Sequence, residues 1–128
     1  MDNRTLIDAA GNRLEVYSGE VSLHLRDRSV MIGKVYADSE TKRNVLVTIR
    51  HSDKHLFRKM DAYGFNYQLL TELGIDLIKV VEDHKAVYLI PVYAINTIGK
   101  IDKLNFTRQG YELQRFISRA DLQQFRIE

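Results

Sequence analysis

The chain contains no cysteine. Disulfides, thiolate nucleophiles, iron–sulfur clusters and cysteine-based zinc sites are therefore excluded. Its glycines are scattered, with no G-x-G or G-K-[ST] among them, so a phosphate-cradling loop of the P-loop kind is excluded too. No serine stands in a G-x-S-x-G elbow. No apolar run approaches the ~18–20 residues of a membrane-spanning helix. The opening residues, Met1 to Asp8, lack the apolar stretch of a secretory signal. A cytoplasmic domain with no membrane attachment is the expectation. Low-complexity tracts, linker-like runs and internal repeats are also missing.

What is present suits one domain, residues 1–128. The 128 residues are 45% apolar and 28% charged, a length at which a chain buries roughly two-thirds of its unfolded surface without a metal or disulfide staple. Net charge is only +2, but its distribution is uneven. Residues 1–49 are balanced. Residues 50–71 carry an excess of two positive charges and residues 72–98 an excess of two negative ones. Residues 99–128 are basic again by two. If the two basic stretches meet in space they form a modest positive patch, a footprint for phosphates.

Three blocks follow from periodicity. In the first, Leu6-Ile7 and Leu14 to Tyr17 flank a hairpin loop at Ala9 to Asn12. Val21, Leu23 and Leu25 then alternate with polar residues, Val30 to Tyr36 returns with a bulge at Gly33, and Val45 to Ile49 closes a β-meander of up to five strands. Leu46 interrupts the last alternation and suggests a strand covered on both faces. The second block reads as two short helices across a glycine turn. Ser52 caps the first, Gly64 stops it, and Asn66 caps Tyr67 to Leu73, with Phe65 stapled to Leu70. The third returns to strands at Leu77 to Val81 and Ala86 to Tyr93, where Pro91 marks an edge, a bulge or the strand's end. A helical turn at Ala94 to Gly99, strands near Leu104 to Phe106 and at Tyr111 to Ile117, and a capping box at Ser118 to Asp121 complete it. The fold class expected is α+β, mainly antiparallel, with an N-terminal meander, C-terminal hairpins and two or three short helices.

Chemistry concentrates between Arg50 and Tyr67. Arg50, Lys54, Arg58 and Lys59 supply cations, and Tyr63 and Tyr67 supply aromatic faces, the pairing used to hold phosphates and stack bases. Helix-turn-helix reading is disfavoured, because the second helix carries a glutamate and no positive charge. Arg115 and Arg119 extend the basic character at the C-terminal end. His51 and His55 are spaced i, i+4, but zinc needs three or four ligands, and serine stands where a zincin has its glutamate. No metal or cofactor is expected. Asp83-His84-Lys85, with Asp76 upstream, resembles the acid-x-Lys element of PD-(D/E)xK nucleases, in which acids hold a divalent cation that activates water. Here it falls where a hairpin turn belongs.

The leading expectation is a non-catalytic binding module for DNA or RNA. The alternatives are a protein-interaction or assembly subunit, self-associating through an edge strand in the Tyr111 to Ile117 region, and a metal-dependent nuclease-like hydrolase.

Overall fold

Ser18 and Gly19 both adopt positive φ, 50° and 81°. That pair makes the two-residue turn whose twist matches antiparallel strands, and it joins β2 (Arg13–Tyr17) to β3 (Glu20–His24). The computed structural model describes residues 2–7, 11–56, 61–83, 85–101 and 114–128. Around that turn β1 (Arg4–Ile7), β4 (Ser29–Ala37) and β5 (Asn44–Arg50) complete an antiparallel meander of five strands. The β3–β4 register slips by one residue, pairing Val21 with Gly33 but Ser22 with Met31. Gly33 is required there, because a Cβ would lie 2.3 Å from the Val47 carbonyl oxygen.

The chain then leaves the sheet. Residues 52–55 are turns rather than a helix, and residues 57–60 of the expected helix lie outside the described residues. Ala62–Asn66 is a strand, β6, so Gly64 sits mid-strand instead of ending a helix. Its first four residues are all buried, which suits a strand covered on both sides. Helix α1 (Tyr67–Glu72) follows, with the Leu69 N–H donating to Asn66 Oδ1 at 3.0 Å as the cap. Phe65 and Leu70, the expected staple, are buried in the same cluster.

This excursion has a topological consequence. Because β6 departs and α1 carries the chain back, β7 (Leu77–Glu82) enters beside β5 running the same way. The expected antiparallel sheet is therefore a mixed one, in the order β1-β2-β3-β4-β5-β7-β8, with one parallel pair. Strand β8 (Ala86–Pro91) returns antiparallel and ends at Pro91, which caps α2 (Val92–Ile98). Strand β9 (Gln114–Ser118) pairs with β6 as a separate two-stranded ribbon. Ser118 then caps α3 (Arg119–Leu122), its Oγ accepting from the Asp121 N–H, and a 3-10 turn, Gln123–Phe125, follows. The expected loop at 9–10 and the strand at 104–106 lie outside the described residues. The fold is broadly α+β.

One apolar cluster runs from Leu14 to Leu122 and joins one face of the sheet to the ribbon and helices. On β5, Leu46 and Thr48 face that core, whereas Ile49 is 61% exposed. Only the start of the strand is covered on both sides, since Val45 is buried with Leu46. No described helix is long and apolar enough to cross a membrane.

Candidate nucleic-acid interface

Strands β5 and β7 end together, with Arg50 opposite Glu82. Just beyond, Asp83 adopts a left-handed φ of 40°, a conformation aspartate tolerates better than most residues. Its N–H donates to the Arg50 carbonyl at 3.1 Å, and its carboxylate turns toward the loop after β5. There Asp83 accepts from the Ser52 N–H at 2.6 Å, the Ser52 hydroxyl at 2.7 Å and His51 Nδ1 at 2.8 Å. The Ser52 bonds above all, with His51 behind them, lower its pKa to about 2. An ionised carboxylate can only accept, so the shared proton sits on His51 Nδ1. In the neutral imidazole Nε2 then carries a bare lone pair.

His55 is arranged in the opposite sense. Its Nδ1 accepts from the His51 backbone N–H at 2.8 Å, which leaves Nε2 as the protonated nitrogen. The two rings stack with centroids 5.9 Å apart. Burial lowers the His55 pKa, and the charges of Arg50, His51 and Lys54 lower it further.

Arg50 is half-buried and is held by dipoles and rings instead of a carboxylate. Its Nη1 donates to the Gly64 carbonyl at 3.2 Å, and Cζ lies 4.9 Å over the Phe65 ring and 5.9 Å over Tyr63. None of the ion pairs among the described residues includes Arg50. Burial lowers its pKa to about 10, so the guanidinium stays charged at neutral pH. Its register partner Glu82 is engaged elsewhere. Glu82 is 1% exposed. It accepts from Tyr63 Oη at 2.5 Å and from Arg119 Nη1 at 2.9 and 3.1 Å. Arg119 also reaches Asp61 at 3.5 Å.

The residues expected from sequence separate into groups. Arg50 and Lys54 fall in the cluster, with Lys54 exposed and its N–H bonded to the His51 carbonyl. Arg58 and Lys59 lie outside the described residues. Tyr63 is wholly enclosed, so it offers no face to a base, and its hydroxyl serves Glu82. Tyr67 is half-buried at the start of α1. Arg115, half-buried on β9, lies opposite Phe65. Arg119 is committed to the buried Glu82. The two basic stretches do meet, through the β6–β9 ribbon, where Arg119 is paired internally with Glu82 and Asp61.

Asp76 and Asp83 bracket β7 from opposite ends. Six strand residues separate them by roughly 20 Å, and Asp76 accepts from the Asn44 N–H at 2.9 Å. Lys85 is exposed beyond the turn. The acid-x-Lys resemblance is thus not assembled into one site. No cluster of three His, Cys, Asp or Glu suited to a metal occurs among the described residues. The expected edge at β9 is occupied at Phe116, which exchanges backbone bonds with Lys100 on the side away from β6. No family model, curated protein or solved structure matches this chain.

Sequence reasoning overlooked Glu82 and Asp83 as structural agents, treating both as turn residues. One signal was available: Glu82 continues the alternation of Ile78 and Val80, the core-facing positions of β7.

Proposed function

We propose that this chain is a non-catalytic, nucleic-acid-associated binding module that engages phosphate through Arg50, Lys54 and His55 at the carboxyl ends of β5 and β7. The observation that carries this reading is that Arg50, though half-buried, has no carboxylate partner among the described residues. Desolvating a guanidinium without a carboxylate partner costs stability, and a bound anion would offset that cost. Lys54 and the His55 Nε2–H add two further donors beside it. A cytoplasmic location belongs to the same reading.

Fluorescence anisotropy with labelled single- and double-stranded oligonucleotides, at ~50 and ~200 mM salt, tests it. Binding that weakens steeply with salt, and weakens further in the Lys54→Ala variant, is the expected result. Absence of binding at the lower salt overturns the reading, because counterion release favours association most there.

A protein-assembly role is the second reading, favoured by a different observation. On the sheet face away from the core, Val47, Val81, Val87 and Leu89 are half-buried and Ile49 is exposed, an apolar surface of the kind that marks interfaces. Light scattering of the Ile49→Lys variant against the parent chain checks it: a shift from dimer to monomer supports it, and a monomeric parent at high concentration removes it.

A further inference from the structure

We infer that the histidine pair reads a ribose hydroxyl beside the phosphate, so that the preferred ligand is RNA rather than DNA. This rests on the nucleic-acid reading above and adds the sugar to it.

The argument is one of donors and acceptors. Arg50 and Lys54 only donate, and the outward nitrogen of His55 donates because its Nδ1 is occupied as an acceptor. These three suit phosphate oxygens, which only accept. His51 differs. Its Nδ1–H is spent on Asp83, and its side chain is 50% exposed, so the neutral ring presents Nε2 as an acceptor. The oxygens of Asp83 are themselves occupied by His51 and Ser52, and the Ser52 hydroxyl donates inward to Asp83. A DNA backbone has no donor to meet His51 Nε2. A ribose 2′-hydroxyl does, on the carbon adjacent to the one bearing the 3′-phosphate, and this hydroxyl is what distinguishes RNA from DNA at a site. Donors for the phosphate and one acceptor for its neighbouring hydroxyl therefore lie side by side, on rings 5.9 Å apart.

The test compares the full chain's affinity for RNA, DNA and 2′-fluoro strands of one base sequence, with chelator present and near pH ~8, where an ordinary imidazole is neutral. RNA should bind about three- to ten-fold more tightly than DNA, the worth of one neutral hydrogen bond. The 2′-fluoro strand keeps an RNA-like sugar pucker without the donor and should bind like DNA. In His51→Ala the ratio of RNA to DNA affinity should fall to parity. Should that variant not fold, the 2′-fluoro comparison on the parent chain decides alone. Equal affinity for RNA and DNA, or 2′-fluoro binding as tight as RNA, overturns this inference and leaves the phosphate-binding reading standing. No binding to any strand overturns both.

Discussion

Glu82 and Asp83 are adjacent carboxylates at the end of one strand, and they serve opposite ends. Glu82 points into the core, where Tyr63 and Arg119 satisfy it. Asp83 turns outward on a left-handed backbone and organises the loop bearing His51, Ser52 and His55. Period-2 geometry accounts for the division, because consecutive strand residues face opposite ways and the turn begins at the second. The inner carboxylate consumes an arginine to stabilise the docking of α3 and the ribbon on the sheet. By consuming Arg119 it also leaves Arg50, its own register partner, without a counterion among the described residues. The outer carboxylate orients His51 and holds the loop that bears His55, whose ring feels the charge of Arg50. The core network and the proposed binding site thus draw on neighbouring residues with separate partners.

Breaking the inner carboxylate should have the largest effect. Glu82→Ala leaves the Tyr63 hydroxyl unpaired and strands Arg119, to which remain the Tyr88 hydroxyl and Asp61, itself 63% exposed. Losing one member of a buried pair costs about 3–5 kcal/mol, and the 30% exposure of the Arg119 side chain reduces this to about 2–3 kcal/mol. A fall in Tm of about 5–12 °C is expected for a chain this size, read by thermal melts. A Tm within a degree or two of the parent would show that the inner network is not structural.

Arg50→Met should separate the two roles. The substitution removes a desolvated charge that has no carboxylate partner among the described residues and keeps an apolar stem against Phe65, so stability should hold or rise. Oligonucleotide affinity should fall about ten-fold or more, the worth of a charged hydrogen bond. Denaturant melts and anisotropy on the same sample check both halves. A variant that loses stability but keeps affinity would reassign Arg50 to the fold.

How much of this was legible in the sequence follows from the range of the forces involved. The meander, the Asn66 and Ser118 caps, the Gly33 irregularity and the break at Pro91 are local, written in alternation, side-chain oxygens and backbone freedom. Strand β6 was not legible, because Ala62-Tyr63-Gly64-Phe65 is buried on both sides and shows no alternation. Its pairing depends on β9, some fifty residues later. The parallel junction of β5 and β7 follows from that pairing and was hidden with it. Among the site residues, Arg50 and Lys54 stood out as charges. The enclosure of Tyr63 and the capture of Arg119 needed the tertiary fold, since both depend on a glutamate distant in the chain.

Asp83→Asn should weaken the outer arrangement with a smaller effect on the fold. In the parent the carboxyl pKa is depressed from 3.8 to about 2. A depressed acid contributes stability above its unfolded value and loses it as pH falls toward the folded one. The parent should therefore lose the loop-anchoring contribution between about pH 4 and pH 2, and the asparagine variant should show no such step. Amide exchange of residues 51–55 across that range measures it, and identical profiles in both chains would detach Asp83 from the loop.

The finest probe of the outer site is His55 itself. Its pKa is lowered by burial first and by Arg50, His51 and Lys54 next, so its protonation is disfavoured in part by Arg50 and Lys54, the two cations that would hold a phosphate. Lowered basicity in the folded state means stability is full above the ordinary imidazole value and declines as pH falls toward the folded pKa. An anion bound among these groups offsets their repulsion and should move the His55 pKa upward. Arg50→Met should also raise it without any ligand, by removing one of the cations. Histidine ring resonances followed by NMR through a pH titration, with and without oligonucleotide, separate the two contributions. An oligonucleotide that binds while leaving His55 unmoved must bind elsewhere on the surface, and Arg50 would then be a cation left unpaired for reasons of packing alone.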